Sequence, residues 1–119
     1  MKQTILLQRL EGAVALIAAS LLYHAGDGNL LVFAVFLLAV DASMVGYLWG
    51  NRVGALIYNL GHSYTIPGAI ALGFLASTGH VPPLLFIWFA HIGLDRMLGY
   101  GLKLPDGFKH THLGTMGGD

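Results

Sequence analysis

The chain has 119 residues, of which 55% are hydrophobic and only six are basic and six acidic. An average soluble domain has about 25% charged residues, so this composition excludes a disordered chain and argues against an ordinary soluble domain. Without a basic stripe it also argues against a nucleic-acid partner, and the lack of cysteine excludes disulfides, thiolate metal sites and a cysteine nucleophile. We therefore expect a small integral membrane protein.

Four stretches are long and apolar enough to span a bilayer, which takes about 20 mostly apolar residues. Over residues 1–101 they predict an all-α fold, a transmembrane four-helix bundle made of two helical hairpins. The helices are predicted over residues 4–23, 30–49, 53–77 and 83–101. Beyond them the composition changes to Gly, Pro, Lys and His, so residues 102–119 are predicted to form a short polar tail.

The third predicted helix contains glycines at seven-residue intervals, Gly54, Gly61 and Gly68. In lipid, glycine lets neighbouring backbones approach closely. This strip therefore predicts a packing surface, either within one protomer or between the protomers of a homodimer. Pro67 lies in the same predicted helix and is expected to leave the Ser63 carbonyl without its helical donor.

The basic residues predict the orientation of the helices. All of them fall on one side of the four predicted spans, and they are Lys2, Arg9, Arg52, Arg96, Lys103 and Lys109. By the positive-inside rule this side is cytoplasmic. Both termini are therefore predicted to lie in the cytoplasm.

Ionisable side chains inside the predicted helices are the most informative feature of the sequence, because a charge in the bilayer is costly. Five of them lie about six to ten residues from the cytoplasmic ends of their helices, and thus at one depth. They are Glu11, Asp41, His62, His91 and Asp95. His91 and Asp95 also share one helical face, because they are four residues apart.

Two imidazoles and several carboxylates at one depth suit a divalent ion such as zinc, manganese or iron. We predict His62, His91 and Asp95 as metal ligands. Asp41 is a further candidate ligand, and His112 is another if the tail folds back onto the cytoplasmic mouth of the bundle.

The same cluster predicts residues for catalysis, as in a membrane-embedded metal-dependent hydrolase. Glu11 is predicted to act as general base toward a metal-bound water, with Asp41 beside it. Arg96, at the mouth, is predicted to hold a phosphate or carboxylate group of an amphiphilic substrate.

Three other functions fit the same residues. His62 and His91 are at matching depth and suit axial ligation of haem b, with His24 and His80 as a second pair near the other surface. Intramembrane Asp, Glu and His also mark proton or ion pathways. Finally, polar side chains hold helices together, as in a membrane assembly subunit without chemistry.

Several motifs resemble the domain-of-unknown-function 4260 family of small bacterial integral membrane proteins. The longest matching stretches are Asp41-x-Ser-Met-x-Gly-Tyr47, Tyr58-Asn-Leu-Gly-His62-Ser-Tyr64 and His91-Ile-Gly-Leu-Asp95-Arg96. The resemblance implies a multi-pass protein of the bacterial inner membrane. It also marks motif positions at Glu11, Asp41, Asn59, His62, His91, Asp95, Arg96 and His112.

A looser similarity is to membrane-bound metal-dependent hydrolases, which have a His-x-x-x-Asp motif near a helix end and a His-Ser pair. His91 with Asp95, and His62 with Ser63, are similar to those motifs. The sequence departs from that pattern at Leu98, where those hydrolases have Thr, and it lacks their His-rich N-terminal motif.

Overall fold

A computed structural model describes residues 2–105 and 110–115 of the chain. This part is helical apart from one short hairpin, which confirms the predicted all-α class. The helices are α1 (Gln3–Ala25), α2 (Leu30–Ala39), a 3-10 helix (Val40–Trp49), α3 (Asn51–Gly61), α4 (Thr65–Thr78) and α5 (Pro83–Met97). The hairpin pairs β1 (His110–Thr111) with β2 (Gly114–Thr115).

Two helical segments are long and apolar enough to cross a membrane, judged by length and composition. One is α1, with 23 residues, and the other is α2 continued by the 3-10 helix, with 20 residues. Asn29 begins the second segment because its Oδ1 accepts hydrogen bonds from the N–H groups of Leu31 and Val32 at 2.8 and 3.1 Å. Most side chains of both segments are exposed.

The third predicted span, over residues 53–77, is two helices rather than one. It is interrupted after Gly61 because side chains of α5 bond to the backbone carbonyls at the break. Trp88 Nε1 donates to the Gly61 carbonyl at 2.6 Å, and Arg96 Nη2 donates to the His62 carbonyl at 2.7 Å. In a continuous helix these carbonyls would accept bonds from the next turn.

Pro67 therefore lies in the first turn of α4 and not inside a long helix. N–H groups in a first turn have no intrahelical partner, so proline is tolerated there. The fourth predicted helix is also shorter than expected. It ends at Met97, and Gly99 turns the chain with a φ of 90°.

Helix α1 packs against α5 through two glycines. A Cβ on Gly12 would lie 2.5 Å from the Arg96 Cβ, and a Cβ on Gly93 would lie 2.6 Å from both the Gly12 carbonyl oxygen and the Leu16 nitrogen. The two backbones approach so closely that only glycine fits, as in tightly packed membrane helices. This contact fixes the position of α5, which contributes two of the side chains described below.

Gly93→Ala is expected to destabilise the protein by about 1–3 kcal/mol, because the added methyl meets backbone atoms that cannot move aside. Gly73→Ala is the matched control, since a Cβ at Gly73 in α4 has no heavy atom within 4 Å. Thermal unfolding in detergent measures both variants. Equal midpoints for the two would contradict the close approach of α1 and α5.

Two of the three glycines in the predicted strip pack within the protomer. A Cβ on Gly54 would overlap the Tyr47 ring, and one on Gly61 would lie 2.9 Å from the Ser43 side chain, so both glycines face the 3-10 helix. Gly68, in α4, has no heavy atom within 4 Å of a Cβ position. The strip therefore joins α3 to the 3-10 helix and does not extend into a contact along α4.

The beginning of the predicted tail is fixed to α3 by a side-chain amide. Asn59 Nδ2 donates to the Lys103 carbonyl at 2.9 Å, and the Lys103 N–H donates to Asn59 Oδ1 at 2.6 Å. An antiparallel bridge then joins Lys103 to Thr111 of the hairpin. Residues 106–109, which include Lys109, and residues 116–119 of the predicted tail lie outside the described part of the chain.

Candidate metal centre

Four side chains from three elements converge on one point. The 3-10 helix contributes Asp41, His62 directly follows α3, and α5 contributes His91 and Asp95. One ligand atom from each lies within 4.8 Å of all the others. The structure therefore brings together the predicted ligands His62, His91 and Asp95 with the alternative ligand Asp41.

Five of the six separations among the four ligand atoms are 3.0–3.4 Å. His62 Nε2 lies 3.0 Å from His91 Nε2 and 3.2 Å from Asp41 Oδ1. His91 Nε2 lies 3.1 Å from Asp41 Oδ1. Asp95 Oδ2 lies 3.3 Å from His62 Nε2 and 3.4 Å from His91 Nε2. Ligands about 2.0–2.1 Å from a tetrahedral zinc are about 3.3–3.4 Å apart, so these separations fit one small ion.

The other ring nitrogen of each histidine bonds to a backbone carbonyl. His62 Nδ1 donates to the Tyr58 carbonyl at 2.9 Å, and His91 Nδ1 donates to the Leu37 carbonyl. Because a carbonyl only accepts, both Nδ1 atoms bear hydrogen, and each neutral ring then presents a lone pair at Nε2. Metal-binding histidines show the same outer hydrogen bond.

These tautomers place electron-rich atoms face to face. The two Nε2 lone pairs lie 3.0–3.4 Å from each other and from the two carboxylate oxygens, and these contacts contain no hydrogen while the imidazoles are neutral. Protonation of one ring would supply a single N–H facing the three remaining acceptors. A divalent cation at the centre would satisfy all four at once.

Burial of the four side chains is uneven. Those of His62 and His91 are 0% and 4% exposed, and that of Asp95 is 12% exposed, whereas the Asp41 side chain is 38% exposed. Access to the cluster is therefore on the Asp41 side. Catalytic zinc sites have three protein ligands and keep a fourth position open to water or substrate; here three candidate ligands are buried, and the side of the cluster that is exposed is that of Asp41.

Tyr58 fixes the orientation of two of these side chains. Its ring stacks on the His62 imidazole, with centroids 3.8 Å apart and planes at 6°. Its hydroxyl donates to Asp95 Oδ2 at 3.4 Å. The four-residue spacing between Tyr58 and His62 is the sequence signal for this contact, since it places both on one helical face.

Arg96 bonds to backbone carbonyls. Its Nη1 donates to the Tyr100 carbonyl at 3.0 Å, and its Nη2 donates to the His62 carbonyl. Arg96 is buried, so its guanidinium holds the break between α3 and α4 and, with it, the backbone of His62. Its predicted role in holding a substrate anion stays a prediction.

The structure does not bring Glu11 or His112 into the cluster. Glu11 is exposed on α1, beside the buried Gly12. His112 Nδ1 accepts a hydrogen bond from the Leu102 N–H at 2.7 Å, so this ring joins the hairpin to the start of the tail. Partial burial and the nearby Arg96 charge lower the pKa of His112, in agreement with its acceptor role. Their catalytic and ligand roles remain predictions without support from this geometry.

Lys103 is a residue near the cluster whose position in the sequence indicated only the orientation of the predicted helices. It is 3% exposed, and its Nζ lies 4.7 Å from the centroid of the Tyr58 ring. Burial lowers the pKa of the Lys103 amine from 10.5 to about 8, and the charges of Asp95 and Asp41 offset part of that fall. Asn59 is the residue that could have indicated this contact, because it binds the Lys103 backbone and lies three residues before His62.

The Lys103 pKa predicts that the fold becomes more stable as pH rises from about 8 to 10.5. In this window the unfolded amine still holds its proton while the folded amine has lost it, so higher pH favours the folded state. Lys103→Met should show a smaller rise in the thermal midpoint from pH 8 to pH 10 than the wild type, and Lys2→Met should show the wild-type rise. Equal rises in the wild type and Lys103→Met would contradict the burial of this charge.

Comparison with known proteins identifies one family. No curated protein and no solved structure matches the chain significantly. A family model described as a domain of unknown function, DUF4260, matches residues 5–116, which include the whole cluster and the start of the tail. This match confirms the resemblance seen in the motifs, and the chain belongs to the DUF4260 family.

Proposed function

We propose that Asp41, His62, His91 and Asp95 form the divalent-metal site of a membrane-embedded hydrolase. One observation supports this above all: both Nε2 atoms point at two carboxylate oxygens while both Nδ1 atoms are held by backbone carbonyls. Imidazole nitrogens and carboxylate oxygens suit zinc, and also manganese or iron. We therefore propose a metal ion as the cation that the two Nε2 atoms and the two carboxylate oxygens bind.

The uneven burial supports a division of roles. His62, His91 and Asp95 are proposed as the permanent ligands, because each is buried and bonded to neighbouring groups. Asp41 lies at the exposed side, where a metal-activated water or a substrate group would enter. Its carboxylate is the group placed to take a proton from that water, a role that the sequence analysis predicted for Glu11.

An apolar cavity supports an amphiphilic substrate. It has a volume of about 180 Å³ and lies between α2 and α5, lined by Phe36, Val40, Leu84, Leu85, Ile87 and Trp88. Val40 precedes Asp41, and Ile87 lies one turn before His91, so two elements that line the cavity also bear candidate ligands. We propose that a hydrocarbon tail occupies this cavity while the polar head meets the metal at Asp41.

The proposed setting is the bacterial inner membrane, with four membrane segments and both termini in the cytoplasm. The exposed apolar surfaces of α1 and α2 support membrane insertion. The placement of every basic residue on one side of the four segments supports the orientation. The third segment would consist of α3 and α4 in series.

The geometry favours a small ion over haem b. Axial haem ligands stand on opposite faces of a macrocycle, whereas the Nε2 atoms of His62 and His91 are 3.0 Å apart and meet two carboxylates at the same point. That short distance also favours a proton shared between the rings, so proton transfer is the second candidate function. Metal content separates the two.

Elemental analysis of the full-length protein tests the proposal. The protein would be purified in detergent, stripped with a chelator, reloaded with zinc and desalted. We expect one zinc per chain, and the same in His24→Ala and His80→Ala, whose histidines are exposed. Less than a tenth of an equivalent in the wild type would overturn the metal site and leave proton transfer as the better interpretation.

A further inference from the structure

Tyr58 contacts two candidate ligands that come from different elements. Its ring stacks on the imidazole of His62, with centroids 3.8 Å apart, and its hydroxyl donates to Asp95 Oδ2 at 3.4 Å. His62 directly follows α3, whereas Asp95 lies in α5. Tyr58 is itself 3% exposed, so this connection between the two elements is made inside the protein.

The oxygen that accepts the hydrogen bond from Tyr58 is the one that faces the histidines. Asp95 Oδ2 lies 3.3 Å from His62 Nε2 and 3.4 Å from His91 Nε2. An ionised carboxylate oxygen has two lone pairs and no hydrogen, so Oδ2 can accept from the hydroxyl and still present a lone pair to a cation. Carboxylates that bind metals are commonly hydrogen-bonded in this way. The Tyr58 hydroxyl therefore acts on the candidate ligand atom itself and not on the other oxygen of Asp95.

The contacts of Tyr58 with His62 hold the hydroxyl in position. The Tyr58 ring is parallel to the imidazole within 6°, and the Tyr58 carbonyl accepts the hydrogen of His62 Nδ1 at 2.9 Å. A tyrosine side chain has only two χ angles, so a ring that is held in its plane leaves the hydroxyl oxygen little freedom. Asp95 is thus bonded to the same residue that orients His62.

We propose that Tyr58 is a positioning residue of the metal site, whose hydroxyl holds Asp95 Oδ2 toward the ion before the ion binds. The inference rests on the proposed metal site and adds to it a residue that does not itself bind the metal. Ligands that their neighbours already hold in place bind an ion more tightly than ligands that must first be ordered. Loss of the hydroxyl should therefore lower the metal affinity and change the geometry around the ion without removing a ligand.

Tyr58→Phe removes the hydroxyl but keeps the ring that stacks on His62 and contacts the Lys103 ammonium group. We expect it to weaken zinc binding about tenfold, the lower end of the range for outer partners of metal ligands, because the bond to Asp95 is longer than usual. Tyr23→Phe is the matched control, since it also removes the hydroxyl of a buried tyrosine, which donates to a backbone carbonyl at 2.8 Å outside the cluster. It should bind zinc as the wild type does. Competition with a chromogenic chelator measures the zinc affinity of each full-length variant.

Cobalt(II) in place of zinc separates a change at the metal from a general loss of stability. Its visible absorption bands depend on the geometry of its ligands, and at saturating cobalt they do not depend on affinity. We expect the bands of Tyr58→Phe to differ from those of the wild type, and the bands of Tyr23→Phe to match them. Failure of the wild type to bind either metal would overturn the metal site itself. If the wild type binds metal, wild-type zinc affinity or unchanged cobalt bands in Tyr58→Phe, or an equal loss in Tyr23→Phe, would overturn the positioning role alone.

Discussion

His62→Ala is expected to reduce the affinity for zinc by more than about 100-fold, beyond the loss seen when only an outer partner of a metal ligand is removed. The reason is that His62 Nε2 is within 3.3 Å of each of the other three ligand atoms, so its removal opens the centre of the cluster. His91→Ala should have a similar effect. Competition with a chromogenic chelator measures the affinity, and circular dichroism reports whether each variant keeps its helices.

Two control variants show how much of the loss in zinc affinity depends on the His62 ring itself. Ser43→Ala removes only a hydroxyl 3.3 Å from His62 Nδ1, and should therefore reduce affinity much less than His62→Ala. His80→Ala removes an exposed histidine outside the cluster and should bind zinc as the wild type does. Equal affinities for the wild type and a folded His62→Ala would contradict the ligand assignment.

Asp41→Asn is expected to keep the metal but reduce turnover by about 100- to 10,000-fold, the usual contribution of a general base. Asparagine retains an oxygen beside the metal, and the three buried ligands are untouched. It cannot accept the proton of a metal-bound water. Hydrolysis of a chromogenic phosphate ester by zinc-loaded protein measures turnover, and elemental analysis of the same sample measures the metal.

The same assay shows whether Asp41 or Glu11 is the general base. Asp27→Asn, in the exposed loop after α1, serves as the control and should have wild-type turnover. A loss in Glu11→Gln comparable to that expected for Asp41→Asn would return the general base to α1. Wild-type turnover in Asp41→Asn would contradict the role proposed for the exposed carboxylate.

The meeting of four of these residues could be predicted from the sequence, but the direction of each side chain could not. Counting residues from the helix ends placed Asp41, His62, His91 and Asp95 at one level because the rise per residue is constant. The same count included Glu11. Neighbouring positions on a helix point about 100° apart, so the contact of Gly12 with α5 leaves the preceding residue, Glu11, pointing outward.

The break between α3 and α4 shows why local patterns were insufficient. Residues 53–77 are mostly apolar, and Pro67 was expected only to leave one helical carbonyl without its donor. The actual end of α3 depends on Trp88 and Arg96, which bond to the carbonyls at the break from α5. These contacts between distant parts of the chain have no local sequence signal. They also free His62 from a regular helix, so that its ring is held by Tyr58 and Ser43 beside the other ligands.

The metal-binding geometry can be tested most directly by X-ray absorption spectroscopy of the zinc-loaded, full-length protein. Two imidazole nitrogens and two oxygens, one of them from Asp95, should surround the ion at about 2.0–2.2 Å. The imidazole signal should fall by half in His91→Ala if any zinc remains bound. A first shell made only of oxygen, or an imidazole signal that persists unchanged in both His62→Ala and His91→Ala, would contradict a metal centre built on these histidines.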